Sequence, residues 1–110
     1  MDMSDLLTKK CIPCSIGTDP LAEDEIQVYY KELQEGWKVV DNHHIEKSYK
    51  FKDFQEALDF TNKVGALAEA EGHHPDIYLS WGKVDIKIYT HKIDGLHEND
   101  FILAAKIDEL

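Results

Sequence analysis

The sequence predicts an α+β fold in which a four-stranded antiparallel sheet is covered by helices. Three segments place apolar residues at the three- and four-residue spacing of a helix that buries one face. Two pairs of short β-prone stretches lie between these segments, and the two members of each pair are close enough in sequence to form a hairpin. The predicted order of elements is therefore α-β-β-α-β-β-α.

The first predicted helix follows an N-terminal arm, residues 1–18, whose mixture of Lys, Cys, Pro and Gly has neither a helical nor a strand period. The predicted domain covers residues 19–110. Its first helix has an acidic first turn, and Gly36 comes after its last apolar residue. The apolar positions of this helix are Ile26, Tyr29, Tyr30 and Leu33.

The four predicted strands form two hairpins. Trp37–Asp41 is expected to pair with Ile45–Phe51, and Ile77–Trp81 with Lys83–Thr90 around Gly82. Short strands joined by short turns favour antiparallel pairing in both cases.

The second and third helices are predicted from their end signals. Asp53 is expected to cap the second helix, and Gly72 can end it in a left-handed turn. The third helix begins after Gly95, and its run Phe101–Ala105 is apolar around most of the helix circumference. We therefore expect this helix to pack against another subunit as well as against its own sheet.

The composition disfavours several classes of function. The chain has 110 residues and a formal net charge of −10, which would repel a nucleic-acid backbone. No apolar run approaches the ~20 residues that a membrane span needs, and the first residues lack the basic and apolar regions of a signal peptide. We therefore expect a cytoplasmic protein that binds neither nucleic acid nor membrane directly.

The two cysteines, Cys11 and Cys14, form a single Cys-x-x-Cys pair in the N-terminal arm. A structural zinc site usually needs a second pair of ligands at similar spacing. A reduced pair in a flexible or packed arm is therefore favoured over a zinc or redox site.

Three histidines are predicted to meet at one end of the second hairpin. Pro75 disfavours helical geometry for His74, so His73 and His74 should lie on an extended bend where the second helix ends. Period-two alternation puts His91 on the face of the last strand that points away from the core. Because the hairpin is antiparallel, residues near Pro75 and residues near His91 occupy the same end of it.

His73 is also expected to interact with the helix that precedes it. It lies nearest the negative end of the helix dipole, and Glu69 is one turn before it at i, i+4. This arrangement suits an acid that works near neutral pH.

The pattern alone leaves three interpretations of these histidines open. They could be general acids and bases, they could bind a metal with His₃ geometry, or they could be polar surface residues with no shared role. His43 and His44 lie in the first hairpin turn, where solvated histidine is ordinary, and no function is assigned to them. His97 is expected at the start of the last helix.

Several residues together resemble the motif of the pterin-4a-carbinolamine dehydratase family, whose members are also called 4a-hydroxytetrahydrobiopterin dehydratases. That motif is an acidic residue, a His-His-Pro run, an aromatic residue, a third His and a downstream Asp. The resemblance extends over nearly the whole domain. The matching residues are Glu69, His73, His74, Pro75, Trp81, His91 and Asp100.

The resemblance implies a hydro-lyase that converts 4a-hydroxytetrahydrobiopterin into quinonoid dihydropterin and water, in tetrahydrobiopterin recycling, without a metal or an organic cofactor. Dehydration requires protonation of the departing hydroxyl and removal of a proton from nitrogen, and imidazoles suit both tasks. His73 and His91 are then the expected acid and base groups. His74 is expected to orient the substrate or to act as a second acid.

The other residues of the motif are expected to bind substrate. Glu69 would orient an imidazole or bind the edge of the pterin. Asp100 is explained about equally well by a role in positioning His91 and by a carboxylate in the first turn of the last helix. Trp81 is either a wall of the pocket or an aromatic residue of the core or hairpin turn.

The resemblance also implies a homodimer or homotetramer that takes a small pterin substrate. Some animal members of the family act as a dimerisation cofactor for a homeobox transcription factor. A molybdopterin-related or accessory role is an alternative for bacterial relatives without an aromatic amino-acid hydroxylase. The sequence does not distinguish these physiological settings.

Overall fold

The structure is a computed structural model that describes residues 19–110. The predicted arm, with Cys11 and Cys14, lies outside the described residues. Within them no helix is long and apolar enough to cross a membrane. The element order is α-β-β-α-β-β-α, which confirms the predicted α+β class. The elements are α1 (Glu23–Tyr30), β1 (Lys38–Val40), β2 (His44–Lys50), α2 (Phe54–Glu71), β3 (Asp76–Ser80), β4 (Lys83–Ile88), a 3-10 turn (His91–Ile93) and α3 (Glu98–Ile107).

The four strands form one antiparallel sheet in the order β1-β2-β4-β3, so the two hairpins join through β2 and β4. Val84, Ile86 and Ile88 are buried in the core, which confirms the predicted alternation along β4. The strand ends earlier than predicted because Thr90 forms an isolated bridge with Gly95, and the chain then turns into the 3-10 segment.

Both predicted end signals of α2 are confirmed. The Asp53 carboxylate accepts a hydrogen bond from the Glu56 N–H at 2.8 Å, which satisfies a free donor of the first turn. Gly72 adopts a left-handed conformation with φ of 67°, which a residue with a side chain adopts less readily. The His73 N–H then donates to the Ala68 carbonyl at 3.2 Å, so the end of α2 fixes where His73 leaves the helix.

Helix α1 is shorter than predicted, because it ends at Tyr30 and leaves Leu33 in the turn that follows. The N–H groups of Glu32 and Leu33 donate to carbonyls only three residues back, at 3.0 and 3.1 Å. This tighter spacing is typical of the end of a helix.

Helix α3 is buried within its own chain, which corrects the expectation that its apolar run needs a second subunit. All five side chains of Phe101–Ala105 are buried, on every side of the helix. The helix packs against α1 and α2, and its apolar residues belong to the same core cluster as the inward face of the sheet. The apolar run therefore gives no reason by itself to expect an oligomer.

The chain after α3 is tied to the first hairpin by a buried carboxylate. Asp108 accepts hydrogen bonds from the Trp37 indole N–H at 2.8 Å, the Lys47 ammonium at 2.7 Å and the Tyr49 hydroxyl at 2.5 Å. Burial raises the pKa of Tyr49 far above its ordinary value, and the hydrogen bond to Asp108 raises it further. These bonds anchor the C-terminal end of α3, which is the end far from the histidines.

A substitution in α3 distinguishes burial within one chain from burial between chains. Leu103→Ala should lower the free energy of unfolding by about 2–5 kcal/mol, because it leaves a cavity in the core of a single subunit. Leu110→Ala, at an exposed leucine past the helix end, should change it little. Urea unfolding measures both values. A Leu103→Ala protein of unchanged stability but lower mass in light scattering would place the helix at a subunit interface instead.

Candidate active site

The fold brings the motif histidines to one end of the β3–β4 hairpin. The first paired residues of this hairpin are Asp76 and Lys87. His73 and His74 come just before this pair in the chain, and His91 comes a few residues after it. The antiparallel pairing therefore produces the common end that the sequence predicted.

His73 forms a buried pair with Asp100. Its Nε2 atom lies 2.5 Å from Asp100 Oδ1, the histidine side chain is 12% exposed and the carboxylate is 0% exposed. The other carboxylate oxygen accepts the Thr90 hydroxyl at 2.9 Å and the His97 N–H at 2.8 Å. Three donors thus compensate the carboxylate for its loss of water.

The partner of Nε2 decides which ring nitrogen of His73 is available for chemistry. An ionised carboxylate can only accept hydrogen bonds, so Nε2 is the nitrogen that donates to Asp100. The Nδ1 atom is then the one that can take or give a proton. The contact with Asp100 therefore fixes the orientation of this imidazole.

Asp100 reaches this position because it lies in the first turn of α3. His97 is the N-cap residue of that helix, as expected, and Asp100 is three residues beyond it. A carboxylate is favoured there by the free N–H groups and the positive end of the helix dipole. Of the two explanations of Asp100, the structure has the carboxylate in the first turn of the helix and no contact with His91 among the described residues: Thr90 is the inward-facing residue of that segment, and the carboxylate pairs with His73.

His74 forms a second, exposed pair. Its Nε2 lies 2.6 Å from Glu69 Oε1, and the histidine side chain is 61% exposed. The sequence predicted Glu69 beside His73 instead. That prediction assumed that the helical spacing continues, whereas the left-handed residue Gly72 redirects the chain and His73 turns toward Asp100.

His91 is exposed and lies against an aromatic ring. The centroids of the Tyr89 and His91 rings are 4.3 Å apart, with the ring planes 35° from parallel. Within residues 19–110, no hydrogen bond or ion pair joins His91 to His73 or His74. The structure therefore brings His91 to the same end of the hairpin without linking it to the buried pair.

The first hairpin turn also lies at this end of the sheet, which corrects the expectation that His43 and His44 are simply solvated. The His43 ring is 4.6 Å from the Tyr89 ring, its Nδ1 is 3.1 Å from His44 Nδ1, and its Nε2 is 2.7 Å from Asp94 Oδ1. Burial lowers the pKa of His44, and the nearby charge of Lys87 lowers it further.

The contact between the first hairpin turn and Tyr89 can be predicted from the sequence only if the order of the strands in the sheet is known. β2 pairs with β4, and Ile45 lies opposite Ile88. The residue before Ile45 therefore approaches Tyr89, the residue after Ile88. The sequence pattern of a hairpin indicates only that two strands consecutive in the chain pair with each other. It does not indicate that strands from different hairpins pair, so this contact is not predicted.

Trp81 is not brought to the histidines. It lies in the turn between β3 and β4 and is 72% exposed. The six residues of β4, Lys83–Ile88, separate it from the histidine end by roughly 20 Å. Of the two interpretations of Trp81, the structure therefore favours the hairpin-turn residue over the pocket wall.

Residues 19–110 match the family model described as pterin 4 alpha carbinolamine dehydratase. The chain belongs to the pterin-4a-carbinolamine dehydratase family. It is 61% identical to a protein of Alkaliphilus metalliredigens over an alignment of 107 residues. The alignment covers 97% of this chain and 96% of the relative. It is 52% identical to a protein of Rubrobacter xylanophilus over an alignment of 108 residues, and this alignment covers 98% of this chain and all of the relative. Each is named "Putative pterin-4-alpha-carbinolamine dehydratase". Family membership puts the chain among the hydro-lyases, as the resemblance implied.

Two solved structures share the fold of this family. The Brucella melitensis protein titled "transcriptional coactivator/pterin dehydratase" superimposes with a TM-score of 0.76 and 34% identity, over 83% of this chain and 97% of that one. A pterin dehydratase-like RuBisCO assembly factor of the alpha-carboxysome superimposes with a TM-score of 0.59 at 22% identity, over 69% of this chain and 89% of that one. The second likeness is evidence of a common fold alone.

The two histidine–carboxylate pairs should differ in their contribution to stability. Asp100→Asn should lower the free energy of unfolding by about 1–3 kcal/mol, because an amide nitrogen cannot accept the donors that remain buried around it. Glu69→Gln should cost at most about 1 kcal/mol, because its pair with His74 is exposed. Chemical denaturation of the two variants measures the difference, and equal losses would contradict the burial of the Asp100 pair.

Proposed function

We propose that the protein dehydrates a 4a-hydroxytetrahydropterin to the quinonoid dihydropterin and water by histidine acid/base catalysis. The observation that supports this best is the buried His73–Asp100 pair, because it leaves Nδ1 of an oriented imidazole for proton transfer. Family membership supports the choice of substrate.

The reaction requires two proton movements and no redox change. The ring carbon that bears the hydroxyl loses it as water once an acid has protonated the departing oxygen. The adjacent ring nitrogen loses its proton to a base, and its electron pair forms the new carbon–nitrogen double bond. Imidazoles are suitable for both roles near neutral pH.

His73 and His91 are proposed as the acid and base groups. The Asp100 carboxylate would stabilise His73 when it is protonated, as the partner of a catalytic histidine does in other enzymes. His91 is exposed at the same end of the hairpin, where a flat substrate has access to it. Because His91 is not linked to the buried pair, a substrate between the two could receive and give protons at separate positions.

His74 and Glu69 are proposed to bind substrate at the solvent side of the site. Their mutual contact at 2.6 Å holds the imidazole at the bend that follows α2. An exposed pair of this kind is easily rearranged, and this property suits a residue that orients the substrate more than a residue that transfers a proton. Asp100 acts through His73, and Trp81 is not part of this proposed site.

The proposal also includes the oligomeric state of the protein and its location in the cell. A homodimer or homotetramer in the cytoplasm is supported by the family resemblance, and α3 does not contribute to that argument. The alternative function is that of an accessory or partner-binding protein. The Brucella melitensis protein is described as a transcriptional coactivator as well as a pterin dehydratase.

Activity on a synthetic 4a-hydroxytetrahydropterin tests the proposal. The protein should accelerate dehydration over buffer without added metal or organic cofactor, followed by the absorbance of the quinonoid product. His73→Ala and His91→Ala should each lower kcat by about 10²- to 10⁴-fold, because each removes a positioned acid or base. Lys92→Ala, at an exposed residue next to His91, should keep the wild-type rate.

Two results would contradict the proposal. A folded wild-type protein that gives no acceleration would reject the enzymatic function and favour the accessory one. Activity that survives in both histidine variants would move the proton transfers to other residues.

A further inference from the structure

His91 lies in a turn whose main chain is closed by the bridge between Thr90 and Gly95, but these main-chain bonds do not orient its exposed side chain. The 3-10 turn His91–Ile93 has three residues, and it ends at Asp94, a non-glycine residue in the left-handed region with φ of 50°. Its closing bond, from the Asp94 N–H to the His91 carbonyl, is 3.2 Å long. The exposed imidazole therefore needs contacts from outside the turn to keep one orientation.

The first hairpin presents His43 to this turn on a rigid support. Asp41 and Asn42 both have φ of 53°, and positive φ at both central residues is typical of a β-turn that suits the twist of a hairpin. The His43 N–H donates to the Val40 carbonyl at 2.9 Å and closes the turn. β2 then pairs directly with β4, so the sheet fixes the distance from His43 to the end of β4.

His43 makes two contacts that lead to His91. Its Nε2 lies 2.7 Å from Asp94 Oδ1, the side chain at the end of the His91 turn. Its ring also lies 4.6 Å from the Tyr89 ring, and the same Tyr89 ring lies 4.3 Å from the His91 ring. Asp94 is 86% exposed, so this contact adds little to global stability and its effect is local.

The other titratable and charged groups of this cluster lie against His43 or against its neighbours His44 and Tyr89. His44 contacts it directly through Nδ1, and the Glu46 carboxylate lies 3.7 Å from His44 Nε2. The Lys87 ammonium lies 5.6 Å from the centre of the Tyr89 ring. The carboxylate of Asp94 is the group that His43 Nε2 reaches.

We propose that His43 is a positioning residue for His91, acting through Asp94 and through the Tyr89 ring. His43 does not touch the substrate. It holds the turn that bears His91 against the first hairpin and so keeps the His91 imidazole in one orientation. This inference rests on the proposed function, because it assigns His43 to the same reaction.

A kinetic cycle between His43 and His91 tests the inference. His43→Ala should lower kcat about fivefold with KM little changed, the size expected for loss of one partly exposed polar contact. In a His91→Ala protein, the same His43→Ala change should have no further effect on kcat. A fivefold loss in both backgrounds would show that His43 acts independently of His91 and would overturn the proposal.

The choice of partner can be tested by substitutions in the turn. Asp94→Ala should lower kcat, but by no more than His43→Ala does, because the contact of His43 with Tyr89 remains. The double variant should lose no more than His43→Ala alone. His43→Gln retains a donor for Asp94 and should recover part of the rate. Lys92→Ala, in the same turn without a contact to His43, is the control that should keep kcat. A normal rate in both His43→Ala and Asp94→Ala would overturn the proposal.

A measurement without substrate separates this inference from the proposed reaction. In NMR spectra, the ring protons of His91 should be shifted by the adjacent Tyr89 ring in the wild type. His43→Ala should move or broaden these signals, and Lys92→Ala should leave them unchanged. If the wild type is inactive, the proposed reaction fails, while a His91 signal that depends on His43 would still support positioning. His91 signals that are unaffected by His43→Ala would contradict it.

Discussion

The Asp100 carboxylate joins three separate parts of the chain at a point from which water is excluded. It accepts hydrogen bonds from His73 after α2, from Thr90 after β4 and from the main chain at the start of α3. A buried carboxylate with a missing donor is costly, so these three segments must be in register for the domain to fold well. The same requirement fixes the imidazole that the proposed reaction uses, so stability and catalytic geometry depend on one group.

The site contains two histidine–carboxylate pairs, one of which is buried and one exposed. The His73 pair is nearly dry, where an interaction between charges is strong and the ring is held in one orientation. The His74 pair faces water, where a similar contact is weak and easily exchanged for a substrate. In the proposed reaction, similar chemical groups would therefore serve as a fixed proton-transfer residue on one side and an adaptable binding residue on the other.

Features fixed by a few neighbouring residues could be predicted from the sequence. The Asp53 cap, the left-handed Gly72 and the alternation along β4 depend on local backbone preferences, and the structure has all three. The common end of the hairpin followed from the same local patterns. The apolar run of α3 was also recognised, but what surrounds a helix depends on tertiary packing, and its own chain covers it.

Features that join distant segments could not be predicted in the same way. Asp100 is 27 residues from His73 and meets it only because α3 begins beside the end of β4. His43 approaches Tyr89 only because β2 pairs with β4, across the two hairpins. In both cases the residues themselves were visible in the sequence, while the contact was determined by the assembled sheet and helices.

The protonation of the His73 ring tests the central claim most directly. Long-range ¹H–¹⁵N NMR spectra distinguish which ring nitrogen bears the proton in a neutral histidine. We predict a proton on Nε2, protected from exchange by Asp100, and an unprotonated Nδ1, with both features altered in Asp100→Asn. A neutral His73 with its proton on Nδ1, or spectra that are the same in the wild type and in Asp100→Asn, would contradict it.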